Sequence, residues 1–248
     1  MKRNLKLTLL HTYYQFKELT RQPMYLISTL VFPAMFFWFF GVPNAQNESA
    51  AAMLTGSFAC FGVLGVVLFQ LAIGIAQEKG TPWSHYLHIL PLPKIFTFLP
   101  KVLNALVVSL LSIAAVVAVA ILTTPLNWQE LPWANFLASL LLGSIPFGLL
   151  GACLGYAASA KSVVPLANLV YLPLSFAGGL WMPPQALPDV VQKISAYLPT
   201  RLLGEVVWAS LLKQDVQSKH TWGLMIYSVL FLAASLYVFR KAQEQEFH

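Results

Sequence analysis

The chain has 248 residues, of which 58% are hydrophobic and only 10% are charged. Because a soluble domain carries about 25% charged residues, this composition excludes an ordinary soluble protein. Uncharged runs of about 20 residues recur, and each could cross roughly 30 Å of hydrocarbon. The net charge of +6 does not indicate nucleic-acid binding, since the basic residues lie near the ends of these runs rather than among base-stacking aromatic residues. We therefore predict an all-α polytopic membrane protein.

Residues 1–22 are predicted to form an amphipathic helix that lies in the membrane interface. Apolar residues recur here at helical spacing among lysines and arginines, which is typical of interfacial helices. The alternative is a plain solvated segment that precedes the first span. The first long apolar run, residues 24–42, starts too late and is too long for the core of a signal peptide, so we expect it to be retained as a membrane span.

The sequence predicts six membrane spans. The first contains Pro33, which should kink it because proline removes a helical hydrogen bond. The fourth is interrupted near Gly143 and Pro146, and its GxxxG pattern from Gly151 to Gly155 fits either packing within the subunit or a dimer face. The predicted spans are 24–42, 54–76, 102–122, 133–158, 163–180 and 221–239.

Residues 185–220 are too polar to cross a membrane and too apolar to form a free loop. We expect one or two short helices there, broken at Pro199, which lie in or dip into the outer leaflet. Of the fifteen Lys and Arg residues, four lie in this segment and the other eleven lie on the opposite side of the predicted spans. Because cytoplasmic loops are enriched in Lys and Arg, both termini are predicted to be cytoplasmic.

No catalytic or metal-binding residues are predicted. No Asp, Glu, Lys, Arg or His lies in the middle of a predicted span, which disfavours an ion-coupled transporter and an intramembrane enzyme. His85 and His88 could share a helix face but have no third ligand nearby, and Cys60 and Cys153 lie in apolar runs where buried thiols are expected. The sequence lacks GK[ST], so ATP bound through a P-loop would need a separate chain.

Residues 77–94 form a short polar segment between the second and third spans. Its lysines predict a cytoplasmic position. The run Glu78-Lys79-Gly80-Thr81, followed by Leu87, Leu90 and Pro91, resembles the first cytoplasmic loop of ABC-2-type exporter membrane subunits, which reads E-[RK]-x-x-G-T before leucines and a proline. Here the segment is one or two residues shorter, and residues 83–86 replace a more usual acidic, leucine-rich stretch.

A second match lies at residues 173–183, followed by Leu187-Pro188 and Leu198-Pro199-Thr200. It resembles the end of the fifth span in the same family, where an apolar F-x-[SG]-G precedes a proline, an amphipathic stretch and a further proline-containing turn. The two matches, the six spans and the amphipathic N-terminus occur in the family's order and cover nearly the whole chain.

The resemblance implies a permease of the type V-like ABC exporters, folded as a single transmembrane domain over residues 1–248 in the cell inner membrane. A second permease subunit would complete a homodimer, and two ATP-binding subunits carrying ATP and Mg²⁺ would dock below it. Residues 77–94 would be a coupling helix, and residues 185–212 would be re-entrant extracellular helices. The predicted ATPase-contacting residues are Glu78, Lys79, Gly80, Thr81, Trp83, His85, Tyr86, Leu87 and Leu90.

The predicted translocation path is aromatic and uncharged, which favours a hydrophobic or amphipathic cargo such as a drug, an antibiotic or a lipid-like molecule. The alternative for the phenylalanines is that they are bulky side chains that face lipid. The alternative for Glu78 is that it is a solvated acidic residue in a loop. Export of a glycan or lipid-linked saccharide, and a non-transporting sensor or scaffold, remain competing functions. The predicted path residues are Phe32, Phe36, Phe37, Phe58, Phe61, Tyr171 and Phe176.

Overall fold

The computed structural model describes residues 2–21, 23–79, 81 and 95–246. These residues form helices, turns and loops, with no strand among them. A π-helical turn, Phe37–Gly41, and a 3-10 turn, Val42–Asn44, extend the second helix, and a further 3-10 turn spans Pro184–Ala186. The α-helices are α1 Lys2–Thr20, α2 Pro23–Phe36, α3 Glu48–Glu78, α4 Ile95–Thr123, α5 Trp133–Gly143, α6 Ile145–Ala157, α7 Val163–Ala177, α8 Asp189–Ser195, α9 Pro199–Leu211 and α10 Ser218–Glu246.

Four helical segments in the described part of the chain are long and apolar enough to cross a membrane: Glu48–Glu78, Phe98–Thr123, Trp133–Ala157 and Ser218–Ala242. They coincide with the predicted second, third, fourth and sixth spans. Two shorter apolar helical segments, Thr29–Asn44 and Val163–Ala177, coincide with the predicted first and fifth. The chain is therefore an all-helical, multi-pass membrane protein.

Helix α3 is the centre of the bundle. It packs against α2, α4, α6, α7 and α9, and 72% of its most apolar window is buried inside the chain, against 11% for α10. Its first turn is capped by Asn47, whose side chain accepts a hydrogen bond from the Ala50 backbone N–H at 2.8 Å. The helix surrounded by neighbours thus organises the fold, while α10 leaves most of its surface for lipid.

Small residues allow α6 to approach α3 closely. A Cβ atom added at Gly151 would lie 2.6 Å from the backbone oxygen of Leu68, and one added at Gly155 would lie 2.8 Å from that of Ala72. Such distances are shorter than real contacts permit, so only glycine fits at either position. The GxxxG pattern therefore packs within the chain, as the first of the two predicted alternatives proposed.

The predicted disturbance in the first apolar helix lies after Pro33 rather than at it. Pro33 is accommodated inside α2, and the α-helical geometry gives way to a π-helical turn at Phe37–Gly41. In that turn a Cβ atom at Gly41 would lie 2.5 Å from the ring of Phe37. Glycine at this position therefore makes room for a phenylalanine side chain that is fully buried.

The segment between α7 and α10 contains two short helices, where the sequence predicted one or two, and Pro199 is the first residue of the second one. Helix α9 packs against α3, α5 and α10. The indole N–H of Trp208 donates to the hydroxyl of Ser57 on α3 at 2.8 Å. The hydroxyl of Thr200 donates to the backbone oxygen of Leu174 on α7 at 2.7 Å. These bonds fix α9 to the first turns of α3 and the last turn of α7.

Candidate coupling elbow and its polar cavity

The segment between α3 and α4, within residues 77–94, is called the elbow below. It begins with a tight turn at Glu78. The backbone oxygen of Glu78 accepts hydrogen bonds from the backbone N–H of Thr81 at 3.1 Å and from its hydroxyl at 2.7 Å. Of the predicted ATPase-contacting residues, the structure describes Glu78, Lys79 and Thr81. The remaining six lie outside the described residues: Gly80, Trp83, His85, Tyr86, Leu87 and Leu90.

An ion pair connects the two helices that flank the elbow. The ammonium of Lys101, on the second turn of α4, lies 2.5 Å from Oε1 of Glu78, the last residue of α3. The Lys101 side chain is 10% exposed and that of Glu78 is 32% exposed, so water screens this pair less than it screens a surface pair. The Glu78 carboxylate is therefore held by the fold rather than solvated in a loop.

Lys79 fastens the elbow to a third helix. Its ammonium donates to the backbone oxygens of Tyr156 at 2.8 Å and Ala158 at 3.0 Å, at the C-terminal end of α6. These carbonyls have no partner within their own helix, and the negative end of the helix dipole favours a cation there. Neighbouring acidic and basic residues therefore anchor the end of α3 to α4 and to α6.

A polar cavity of about 520 Å³ lies beside the ion pair, between α1, α3 and α4. The amide nitrogen of Asn104 donates to Oε1 of Gln15 at 3.2 Å, which links α4 to α1. Burial lowers the pKa of His11; the nearby Glu78 carboxylate raises this pKa and the Lys101 ammonium lowers it, both by less. Ten of the described lining residues have polar side chains: His11, Tyr14, Gln15, Glu18, Gln70, Gln77, Glu78, Thr81, Lys101 and Asn104.

Sequence reasoning missed most of this cavity. Gln70 and Asn104 lie inside predicted apolar spans and carry no charge, so neither a charge count nor a motif selects them. Lys101 contributed to the predicted orientation only as a cytoplasmic charge. The available signal was an uncharged amide within each of two predicted spans, a group that needs a hydrogen-bond partner when it is buried.

Five of the seven predicted path residues meet in one aromatic cluster. The ring of Phe61 stacks on that of Tyr171 with centroids 5.0 Å apart and on that of Phe36 at 5.7 Å. Phe32 contacts Phe36 at 4.5 Å. Trp181, which the sequence analysis did not select, contacts three members of the cluster: Phe36 at 5.4 Å, Phe61 at 5.7 Å and Phe176 at 6.0 Å.

The other two predicted path residues, Phe37 and Phe58, form a separate pair with ring centroids 5.6 Å apart. Both are fully buried and belong to the core around α3. In the aromatic cluster, by contrast, Phe32 is 42% exposed. The cluster, rather than the buried pair, therefore offers an aromatic surface to the outside of the chain.

The sequence model of the ABC-2 type transporter family matches residues 7–212. That range includes most of α1, the elbow, the aromatic cluster and α9. The chain is also 25% identical over 235 residues to a Bacillus subtilis (strain 168) protein named "Putative transport permease YvfS", and the match covers 92% of this chain and 95% of that protein. Because the family model spans most of the sequence, this chain belongs to the ABC-2 type transporter family and is a membrane transport permease.

Proposed function

We propose that this chain is the membrane-spanning subunit of an ATP-driven exporter that moves a hydrophobic or amphipathic compound, such as a drug, an antibiotic or a lipid-like molecule, out of the cytoplasm or the inner leaflet. The observation that carries the proposal is the anchored elbow: Glu78 is paired with Lys101 on α4, and Lys79 is bound to the end of α6. A force applied to the elbow would therefore move three helices together.

Two copies of a separate ATP-binding subunit would supply that force and would carry the ATP and Mg²⁺. The present sequence has no GK[ST], and permeases of the ABC-2 family normally work with an ATP-binding subunit. Residues 77–94 would form the coupling helix that docks on this ATPase, with Glu78, Lys79 and Thr81 at its base. The chain itself would not be an enzyme.

The proposed topology has six spans that cross the cell inner membrane. Both termini and the elbow lie in the cytoplasm. Several contacts support this topology. Helix α1 lies beside the elbow at the polar cavity, and Phe239 near the end of α10 contacts Tyr156 near the end of α6 with ring centroids 4.9 Å apart. Helix α9 contacts α3 at Ser57, which lies 21 residues or roughly 30 Å along the helix from Glu78. That distance matches the thickness of the hydrocarbon core.

We further propose that two copies of the permease pair as a homodimer and that α8 and α9, as re-entrant helices, close the outer end of the path. The aromatic cluster would contact the cargo, because its members are uncharged and Phe32 is exposed at its edge. An aromatic surface binds apolar and amphipathic molecules through burial of apolar area and ring stacking.

Reconstitution tests this function. The chain and its ATPase would be placed in lipid, and ATP hydrolysis and transport would be measured with and without amphipathic drugs. We expect at least one compound to stimulate both activities. A response restricted to lipid-linked saccharides would replace the proposed cargo, and normal assembly without stimulation by any compound would favour a sensor or scaffold.

The coupling role has its own test. Substituting Glu78 and Gly80 together should detach or uncouple the ATPase while the permease remains folded and in the membrane. Intact co-purification together with normal transport would remove the coupling role. For the topology, a cysteine introduced at Gln185 should react with a membrane-impermeant reagent from outside the cell, and labelling from the cytoplasm alone would overturn the proposed orientation.

A further inference from the structure

The polar cavity between α1, α3 and α4 contains hydrogen-bond acceptors that the described residues leave unused. Asn104 is only 1% exposed. Its amide nitrogen is bonded to Gln15, but its Oδ1 is buried without a partner among the described residues, as is Oε1 of Gln70. Both residues line the cavity. Because buried acceptors are unfavourable when left unpaired, a molecule that brings N–H or O–H donors into the cavity would be stabilised there once either amide turns its oxygen toward the cavity.

The charge of the lining favours a cation over an anion. Among the described residues of the lining, Glu18 and Glu78 contribute two carboxylates and Lys101 contributes one ammonium, which is already paired with Glu78. His11 adds little positive charge near neutral pH, because burial lowers its pKa. One negative charge therefore remains among these described residues, and a cationic ligand with several donors would complement it.

The cavity also has room for a ligand and an apolar side for a tail. Gly74 lies one turn from both Gln70 and Glu78 on α3 and contributes no side chain; a Cβ atom added there would still lie 3.9 Å from the Lys101 ammonium. The apolar side chains of Leu19 and Ile73 line the same space. The volume of about 520 Å³ falls within the range of small-molecule sites, about 300–1,000 Å³.

We propose that this cavity binds the primary ammonium head of an amphiphile, with the N–H groups directed to the amide oxygens of Gln70 and Asn104 and to the Glu78 carboxylate, and with the tail beside Leu19 and Ile73. A primary ammonium offers three N–H donors and one positive charge. A membrane lipid with an ethanolamine head and a free alkylamine both carry this group. The site rests on the proposed function only for its location at the cytoplasmic leaflet.

Binding of dodecylamine to the purified full-length chain, without ATPase or ATP, tests the proposal. The matched probe is dodecyltrimethylammonium, which has the same charge and tail but no N–H donor. We expect dodecylamine to bind at least tenfold more tightly, and the double variant Gln70→Leu/Asn104→Leu to lose at least that factor. Gly74→Leu should cause a similar loss by filling the space. Asn168→Leu is the control, since the Asn168 amide donates to Val164 of its own helix outside the cavity.

Equal affinity for the two probes, or unchanged dodecylamine binding in both cavity variants, would overturn the site. Thermal unfolding and elution volume establish whether each variant is folded. If the double variant is not folded, the Gly74→Leu variant still decides the test. Native mass spectrometry in mixed phosphatidylethanolamine and phosphatidylcholine membranes then identifies the source. Selective retention of the ethanolamine lipid assigns the site to the membrane lipid, and dodecylamine binding without lipid retention assigns it to a free amphiphilic amine. Because no ATPase is present, a failure of coupling leaves this measurement unaffected.

Discussion

The ammonium of Lys101 lies 2.5 Å from the carboxylate of Glu78, although 23 positions separate the two residues in the sequence. Their ion pair joins the last residue of α3 to the second turn of α4, on either side of the elbow. The distance between the two ends of the elbow is thereby fixed, and a push on the elbow would be passed to two long helices together.

Removing one partner of this pair should destabilise the fold and weaken coupling. Lys101→Met leaves the two-thirds-buried Glu78 carboxylate without its cation, which costs about 1–3 kcal/mol. The double variant Glu78→Gln/Lys101→Met has no unpaired charge, so we expect its stability to recover in part. Compound-stimulated ATP hydrolysis should stay about fivefold or more below wild type in both, because neither variant restores the ion pair. Thermal unfolding and ATPase assays on the same preparations separate the two effects.

Gly151 and Gly148 provide a matched pair for the contact between α6 and α3. Gly151→Ala would bring a methyl group against the backbone of Leu68 at 2.6 Å, whereas Gly148→Ala would meet only the movable end of the Leu71 side chain at 3.2 Å. We expect Gly151→Ala to lower the free energy of unfolding by about 1–3 kcal/mol and Gly148→Ala to have a much smaller effect. Denaturation in mild detergent measures both. Similar losses in the two variants would contradict the proposed close packing.

Tyr171 and Gly65 are expected to show strong energetic coupling. The Tyr171 hydroxyl donates to the backbone oxygen of Phe61 at 2.7 Å, and a Cβ atom at Gly65 would lie 2.9 Å from that hydroxyl. Tyr171→Phe should cost about 1 kcal/mol through the lost hydrogen bond. Gly65→Ala should cost about 1–3 kcal/mol in the wild-type background and less with Phe at 171, where the clashing hydroxyl is gone. A double-mutant cycle measures the difference, and strictly additive losses would argue against this contact.

His11 should make the docking of α1 depend on pH. Burial lowers the pKa of His11 in the folded chain below its ordinary value, so the unfolded state takes up the proton first as the pH falls. Stability is therefore unaffected well above pH about 6.5, decreases as the pH drops below that value, and levels off once the folded pKa has been passed. Unfolding measured between about pH 8 and pH 5 should show this loss. His11→Asn, which cannot titrate, should reduce it, and an equal loss in that variant would assign the effect to another group.

The positions of the helices follow closely from local sequence. The predicted start of the sixth span, residue 221, lies three residues from the start of α10, and the predicted break at Pro199 coincides with the start of α9. The interruption in the fourth span separates α5 from α6 at Ser144. Runs of apolar residues, prolines and glycines determine such features within a few residues of themselves, so no tertiary information is needed.

The aromatic cluster was only partly accessible to the same reasoning. The sequence grouped seven aromatic residues as path-lining, but the structure brings five of them together and places Phe37 and Phe58 in a separate buried pair. Phe36 and Phe37 are adjacent in the sequence, yet one contacts Trp181 and the other packs on Phe58. Adjacent helical residues point about 100° apart, and which direction faces the core depends on helices far away in the chain.

The sequence by itself determined the class of this protein, the location of its apolar helices and the family to which it belongs, because long uncharged runs and the order of short motifs are properties of the linear chain. Only the tertiary structure decided which polar groups meet. Gln15 and Asn104 are 89 residues apart, and Lys79 and Ala158 are 79 apart. Such contacts depend on how each helix is rotated about its axis and aligned against its neighbours. Hydropathy alone does not determine that rotation, because a helix with apolar side chains on all sides is equally apolar in many rotations.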